Sequence, residues 1–468
     1  MEKNKMNDME KLISLCKRRG FIYQGSEIYG GLAGTFDYGP LGVALKNNIQ
    51  NLWWKRFVLD REDMYGVDAA ILMNAKVWEA TGHVATFADP LVDDLKTKKR
   101  YRADHLLEEN GIEAKKMTID QMTKAIQENG LKSPEGNPLS EVKQFNMMFK
   151  TRAGASEDSS SVVYLRPETA QGMFVNFKNV IDSFHPKLPF GLGQVGKSFR
   201  NEITPGSFVF RLRELEQMEI EYFIRAENWE QEFKNWLQAI KDFLTDDIGL
   251  QKTHLHEYEH SDEERSFYSK RTVDIEFDYP FGQKELYGLA YRTDYDLTKH
   301  GQFSGADLTY FDEETKQRFV PHVIEPALGL DRTCLAALSD AYTEDVLGDE
   351  ARVYLKLAPK VSPFIASVFP LLKNKPALVE KAREIYATLR KEPALAGRVS
   401  FDDNGNIGKR YRRQDEIGTP FCVTIDFDTL GEKPELLNTV TLRDRDTGGQ
   451  KRVSIDELAS IFKSALVA

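Results

Sequence analysis

From Pro40 the apolar positions Leu41, Leu45, Ile49, Leu52, Trp53 and Phe57 recur every three or four residues. That is the spacing of one helix face, and Pro40 suits a first helical turn. The next stretch, "GVDAAILMN", reads as a strand. From about Leu95 to Gln144 the pattern changes: "LKTKKRYRADHLLEENGIEAKKMTIDQMTKAIQENG" is highly charged and helical in period, and "LKSPEGNPLS" is a loop. This piece looks inserted into a larger unit. Strand patterns then dominate as far as Ala341: "SVVYLRP", "FGLGQVGKSF", "VDIEFDY", "ELYGLAYRTDYDL" and "PHVIEPALGLDR", interrupted by the helical "ENWEQEFKNWLQAIKDFLTD". Their spacing and Gly/Pro punctuation predict one mixed or antiparallel sheet. Beyond "GDEARVYLKLAP" strands and helices alternate: "PFIASVFPLL", "ALVEKAREIYATLRK", "RVSFDD", "KRYRRQDEIG", "PFCVTIDF", "NTVTLRDR" and "SIDELASIFKSAL". That alternation predicts a separate α/β unit with a mostly parallel core. The expected divisions fall at 1–94, 95–144, 145–345 and 346–468, and the fold class is α+β.

Within the sheet region, "GKSFRNEITPGSFVFRLRELEQMEIEYF" (196–223) reads as a hairpin whose loop holds Pro205 and Gly206. Strand side chains alternate faces, so Arg200 shares a face with Glu202, and Glu219 with Glu221. Charge gathered on one strand face is either a solvated surface or a polar site.

Composition narrows the setting. A chain of 468 residues has room for two to four units, and 41% hydrophobic with 29% charged residues describes a globular protein. There is no run of eighteen apolar residues and no signal-peptide pattern, so a cytoplasmic protein without a membrane partner is expected. Three cysteines, Cys16, Cys334 and Cys422, with no CxxC, support neither a disulfide framework nor a cysteine zinc site. The net charge of −10 is unevenly spread: residues 351–468 carry 20 Lys and Arg against 15 Asp and Glu. Such an excess permits contact with a polyanion without demanding it.

Four clusters carry candidate chemistry. "YLRPETAQG" offers Arg166 and Glu168, and "FRNE" offers Arg200 and Glu202. "FRLRELEQMEIE" offers Arg211, Arg213, Glu219 and Glu221, and "VIEPALGLDR" offers Glu325, Asp331 and Arg332. Arginine binds phosphate in bidentate fashion, and carboxylates hold an ammonium or a metal. A ligand with both phosphates and a cationic group suits this mixture. No Gly-rich Walker loop is present, so a nucleotide would be held by arginines on a sheet.

These motifs carry a resemblance. "FRNE…RLREL…E" resembles motif 2 of the class II aminoacyl-tRNA synthetases, "ALGLDR" resembles their motif 3, and the Pro40 helix with "VDAAILMN" resembles the dimer-forming motif 1. "GTFDYGPLG", "FADPLVD", "LRPETAQG", "VIEP" and "RRQDEIGTPFCVT" are similar to the homodimeric glycyl-tRNA synthetase family, in order over almost the whole chain. The resemblance implies a class II antiparallel core with flanking helices, an inserted helical segment and a C-terminal α/β anticodon-binding domain. It implies ATP-dependent ligation of glycine to tRNA(Gly) by a homodimer, with ATP and Mg²⁺ and without zinc. Arg200 would meet the ATP α-phosphate and the substrate carboxylate, and Glu202 the adenine amino group. Arg211 and Arg332 would hold the γ-phosphate. Glu168, Glu219 and Glu325 would surround the ammonium, with Arg292 balancing their charge and Glu285 a candidate magnesium ligand. Arg200 and Arg332 are thus the implied catalytic residues. Leu215 stands where the family has the phenylalanine that stacks on adenine, Ala327 where it has a pocket serine, and Ala75 where motif 1 has proline. The alternative is a synthetase-like accessory protein that binds nucleic acid without charging; such proteins lose the motif 2 and 3 arginines kept here.

Other signals read more plainly. "HLHEYEH", with His254, His256 and His260, reads as solvated surface rather than a zinc site. "KRYRR" offers Lys409, Arg410, Arg412 and Arg413 to the anticodon loop, with Tyr411 stacking a base, or else forms a solvated helix face. The basic residues Lys96, Lys98, Lys99, Arg100 and Arg102 read as a solvated face over a nucleic-acid contact. "TGH" (81–83) receives no chemical role, and Cys422 is expected to be buried.

Overall fold

A computed structural model of the chain describes residues 2–114, 117–154, 161–266 and 268–467. Its main sheet has seven strands: β1 Met64–Gly66, β2 Phe190–Phe199, β3 Glu214–Ile224, β4 Leu255–Glu259, β5 Arg271–Tyr279, β6 Gly282–Thr293 and β7 His322–Gly329. They lie in the order β4-β5-β6-β7-β3-β2-β1, antiparallel throughout except for the parallel pair β2–β1. This is the mixed, largely antiparallel sheet that the alternation predicts. "SVVYLRP" lies outside it: Val162–Leu165 pairs with Leu72–Met73 and Lys150–Arg152 in a separate small sheet.

The two faces of β3 explain the layering. Met218, Ile220, Tyr222 and Ile224 are buried on the back, where the helices Pro40–Trp54, Trp229–Asp242 and Leu330–Ala341 cover the sheet. On the front, Leu215, Gln217, Glu219, Glu221 and Phe223 follow one another at alternate positions. The Phe223 end is closed by the helix Ala170–Phe184, whose Phe177 packs on Phe223 and Phe190 at 4.7 and 6.1 Å. The Leu215 end is left open. The front face therefore grades from aromatic core, through buried carboxyls, to an accessible mouth.

The Pro40 helix forms with Pro40 in its first turn and buries Leu45, Ile49 and Trp53, as the spacing predicts. "GVDAAILMN" is not one strand. Only Met64–Gly66 and Leu72–Met73 pair, and the backbone between them is held by Val67 N–H donating to Gly193 O (2.9 Å) and Arg166 Nη1 donating to Ala69 O (2.8 Å). Arg166 also donates from Nε to Lys197 O (2.7 Å), lying flat over β2 at Gly196, where a β-carbon would strike its guanidinium.

The charged segment is less helical than its period implies. Its helices, Ala103–Glu109 and Ile119–Glu128, pack on a three-stranded sheet of Ala88–Asp93, Arg100–Arg102 and Lys143–Asn146 around a small core including Val92, Leu107 and Ile126. Thr118 and Gln121 begin the second helix with a reciprocal capping pair.

The C-terminal sheet comprises β8 Ala366–Pro370, β9 Val399–Phe401, β10 Phe421–Ile425, β11 Thr439–Asp444 and β12 Gln450–Ser454, ordered β9-β8-β10-β11-β12. Its first three strands are parallel and the other two antiparallel, β12 being one the sequence did not announce. Val368, Val423, Leu378 and Phe462 belong to its own hydrophobic core, whereas Leu355, Leu357 and Val361 pack in the core of the main sheet. Cys422 is buried in β10, as expected, and Cys16, Cys334 and Cys422 are all free. Among the described residues no helix is long and apolar enough to cross a membrane.

Candidate active site

The open front face holds a cavity of about 270 Å³. Its floor is hollow because two neighbouring strands present small residues side by side. Ala327 on β7 lies between Glu219 on β3 and Gly288 on β6, and Ala290 lies beside Glu325. Short side chains on one face leave space where larger ones would pack.

The closed end is rich in carboxyls. Glu219, 3% exposed, accepts from the Thr169 amide (3.0 Å), the Thr169 hydroxyl and Gln217 Nε2 (2.5 Å). Glu168 accepts Gln171 Nε2 at 3.0 Å and faces His83 Nε2 at 3.3 Å. Glu325 accepts Arg292 Nη1 at 2.8 Å, and Arg292 forks onto Asp296 with two further contacts of 2.8 Å. Arg292 stands behind Glu325, outside the cavity lining. A register irregularity in β6 and the left-handed Thr293 (φ 59°) turn the chain into the helix Tyr295–Ser304 and bring Asp296 to that guanidinium. Glu221, one step deeper, is fully buried and has no hydrogen-bond partner among the described residues.

These carboxyls differ electrostatically. Burial and the neighbouring Glu168 push Glu219 up, and burial beside Glu325 pushes Glu221 well up. Burial outweighs the nearby Arg292 and pushes Glu325 up to about 8. Burial opposes ionisation of Glu168 as well, but His83, Arg292 and the Gln171 amide hold it well below the usual carboxylate range. Glu219, Glu221 and Glu325 are thus pushed towards their neutral forms while the cavity is empty, and a cation placed among them would favour their ionised forms.

The mouth is rich in arginines. β2 ends at Phe199, so Arg200 and Glu202 lie in the loop beyond it and not on a strand face as expected; Arg200 N–H leaves the ladder to donate to Arg213 O (2.9 Å). Both still line the cavity, with Arg211 and Leu215. Arg200 donates from Nε to Pro167 O (3.0 Å). Arg211 has no side-chain hydrogen bond or ion pair among the described residues. Arg213 is taken up in the fold, donating to Glu202 O and Ala33 O. Arg332, at the start of the Leu330–Ala341 helix, pairs with Glu285 at 3.0 Å and lies over the Phe210 ring at 4.2 Å. Asp274 and Glu285 share this end, where burial and Glu285 push Asp274 up to about 6. Burial works against Glu285, but Arg332 holds it low. Among the described residues no group of three His, Cys, Asp or Glu is placed to hold a metal by itself.

The basic C-terminal helix differs from its expected role. In Ile407–Glu416 the Arg410 side chain is 1% exposed and donates to the carbonyls of Pro370, Asp403 and Gly405. The Tyr411 hydroxyl is bonded to Thr424 Oγ1 at 2.6 Å. The Arg410 guanidinium is thus buried and spent through both Nη atoms on backbone carbonyls, its Nε being without a partner among the described residues, so it does not face solvent where RNA would meet it. Lys409 and Arg412 remain exposed, and Arg413 is half-buried against Asp402. His254, His256 and His260 each face a different aspartate, Asp340, Asp278 and Asp274. In the charged segment Lys99, Arg100 and Arg102 pair with Glu135, Asp93 and Asp89.

Several residues at the site are not foreseen by the sequence reading. Thr169, Gln171 and Asp296 tie the carboxyls together, and His83 reaches Glu168 although "TGH" is assigned no chemistry. Only the adjacency of Thr169 and Gln171 to "RPE" is visible in the chain. His83 and Asp296 join the site through contacts with Glu168 and Arg292, which no local pattern announces.

Residues 149–341 match the family profile described as "tRNA synthetase class II core domain (G, H, P, S and T)", and residues 366–465 match "Anticodon binding domain". Sheet, cavity and C-terminal unit are thus those of a class II tRNA synthetase core carrying an anticodon-binding fold. The chain is similar at full length to proteins named Glycine--tRNA ligase. It is 49% identical over 469 residues to that of Bacillus anthracis, covering 98% of this chain and 100% of the relative. It is 49% identical over 467 residues to that of Caldanaerobacter subterraneus subsp. tengcongensis and 50% over 468 to that of Clostridium acetobutylicum, with 98% of both chains covered in each case. The chain belongs to the glycine–tRNA ligase family.

Proposed function

We propose that the cavity joins glycine to ATP and that the chain then passes the glycyl group to tRNA(Gly). The observation that carries this reading is the polarity of one cavity, with buried carboxyls at its closed end and arginines at its mouth. A zwitterion that presents an ammonium to Glu168, Glu219 and Glu325 points its carboxylate towards Arg200. That carboxylate attacks the α-phosphorus of ATP; a carboxyl oxygen–phosphorus bond forms, and the bond to pyrophosphate breaks. Arg200 offsets charge on the α-phosphate, Arg211 and Arg332 hold the departing phosphates, and Glu202 accepts from the adenine amino group. Leu215 lies against the base. The terminal ribose hydroxyl of tRNA then attacks the glycyl carbonyl and AMP leaves. No protein nucleophile is required.

Magnesium fits the phosphate end as a cation held mainly by the nucleotide. Asp274 and Glu285 are neighbouring carboxyls whose repulsion, with burial, raises Asp274, and a divalent ion relieves it. When bound it neutralises charge on the phosphate oxygens. Glycine has no side chain to grip, so selection rests on its ammonium and on excluded volume; Ala327 is the wall position where a hydroxyl is missing.

The reading extends to assembly. The chain works as a homodimer in the cytoplasm, where tRNA is charged. The edge strand β1 has a partner on one side only, and Val43, Leu59, Ile71 and Leu72 near it are exposed, which supports a second copy there. Residues 1–94 and 145–345 form the catalytic unit and 95–144 the insertion; the anticodon-binding unit, expected at 346–468, is better begun near 366, since Leu355, Leu357 and Val361 pack with the main sheet, and Lys409, Arg412 and Arg413 are available to tRNA. The non-charging alternative finds no support in relatives named as ligases. The test is pyrophosphate exchange into ATP over a panel of amino acids: glycine alone should drive it, and exchange with none, or equally with alanine, rejects the reading.

A further inference from the structure

The segment "TGHVATF" (81–87) enters no step above, yet it touches both ends of the cavity. It forms a single helical turn, His83–Thr86, entered through Gly82 at φ 81°. His83 stands between two fixed partners. Its Nδ1 lies 2.7 Å from Thr81 Oγ1, and its Nε2 lies 3.3 Å from Oε1 of Glu168. The ring is held edge-on by Trp78 at 5.5 Å and sits beside Phe87 at 5.9 Å. Phe87, at the other end of the turn, underlies the Arg200 guanidinium at 5.6 Å.

The contacts on Glu168 are one-sided. Gln171 Nε2 donates to Oε1, and Oε1 is also the oxygen nearest His83 Nε2. Gln171 is itself fixed, its amide nitrogen also donating to Asp296 Oδ1 (3.0 Å) and its oxygen facing His300 Nε2 (2.8 Å). A carboxylate pinned through one oxygen presents the other in a set direction. Gln171 spends one N–H on Glu168 and the other on Asp296, and a single contact at Oε1 leaves the carboxylate free to rotate about it.

We propose that His83 is a positioning residue for the amino-acid ammonium, fixing Glu168 through Oε1 so that Oε2 faces the substrate, while Phe87 on the same turn supports Arg200 at the phosphate end. This rests on the reading of the closed end as the ammonium site. One turn thereby sets the distance between the two ligands that must react.

The test is steady-state pyrophosphate exchange with glycine and ATP varied in turn. His83→Phe keeps the ring packing and removes the N–H. It should raise the KM for glycine on the order of 10- to 100-fold, the range for a hydrogen bond to a charged group, with the KM for ATP changed less than about threefold and the melting temperature kept. His83→Gln, which restores a donor, should recover most of the glycine affinity. Phe87→Leu should show the mirror image, a weakened ATP KM with glycine spared. Equal effects of His83→Phe on both substrates, or a glycine KM that does not change, overturn the proposal, as does failure of His83→Gln to outperform His83→Phe. Glu168→Gln is the control: if it leaves the glycine KM unchanged, the ammonium site itself is wrong, a failure distinct from that of His83.

Discussion

The loop 200–213 and the helix Ile407–Glu416 start from similar sequence, "FRLR" in one and "KRYRR" in the other. Arg410 in the helix and Arg200 and Arg211 in the loop end in opposite conditions. In the helix, Arg410 is buried and its guanidinium donates to three backbone carbonyls. In the loop, Arg200 has one such bond from Nε, and Arg211 has none among the described residues. A buried arginine that spends both Nη atoms on its own backbone is part of the scaffold; one left facing a cavity beside small residues is kept for a ligand. Composition cannot separate the two cases, because the difference lies in which carbonyls the fold brings within reach.

The sharpest break of this contrast is Arg200→Ala. Glycine-dependent exchange should fall on the order of 10²- to 10³-fold, the loss seen when one donor facing developing charge is removed. The melting curve should stay in place, and a matching loss of stability would put Arg200 with the scaffold instead. Arg410→Met should do the reverse: roughly 2–4 kcal/mol of stability lost in denaturant unfolding, because buried carbonyls lose their donors, with exchange per folded molecule intact. Normal unfolding with impaired charging would return Arg410 to the RNA surface.

A third test uses the carboxyl end. Glu325 holds its proton up to about 8 in the fold. An ammonium needs the ionised form, so kcat/KM for glycine should climb with pH, by close to tenfold per unit below that value, and level off above it. Glu325→Gln should flatten the profile. The same raised value makes the proton a stabiliser of the empty protein, in full force below the unfolded carboxyl's range and lost as the pH rises through about 8. Saturating glycine should remove that decline in melting temperature. The smallest effect expected is Leu215→Phe, which should lower the KM for ATP by a few-fold, since aromatic stacking adds about 0.5–1.5 kcal/mol beyond area; an unchanged KM would place the base elsewhere.

Much of this was legible in the chain, for definable reasons. Strands β2, β3, β5 and β7 carry two-residue alternation or unbroken apolar runs, and the Pro40 helix carries a clean 3.6-residue face. Arg200, Glu202, Glu219, Glu325 and Arg332 sit in ordered motifs, and all line one cavity. What was not legible depends on distant partners. "RYR" and "KQFN" are strands only because Ala88–Asp93 pairs with both. "YRTDYDL" has strand-like residues, but β6 ends at Thr293 and Asp296 is delivered by a helix. His83 owes its place to Glu168, far along the chain, and no local period announces such a meeting.

The charged segment leaves and re-enters through neighbouring strands. Ala88 to Leu91 run antiparallel to Lys143 to Asn146, in register. Its two stems therefore stand one strand apart, about 5 Å, and Met147, just past the return, links Phe87 O to the Asn201 amide at 3.0 and 2.7 Å. The arrangement works as a socket. Material between Val92 and Val142 can lengthen, shrink or be exchanged without moving the stems, and the turn that carries His83 and the loop that carries Arg200 keep their spacing.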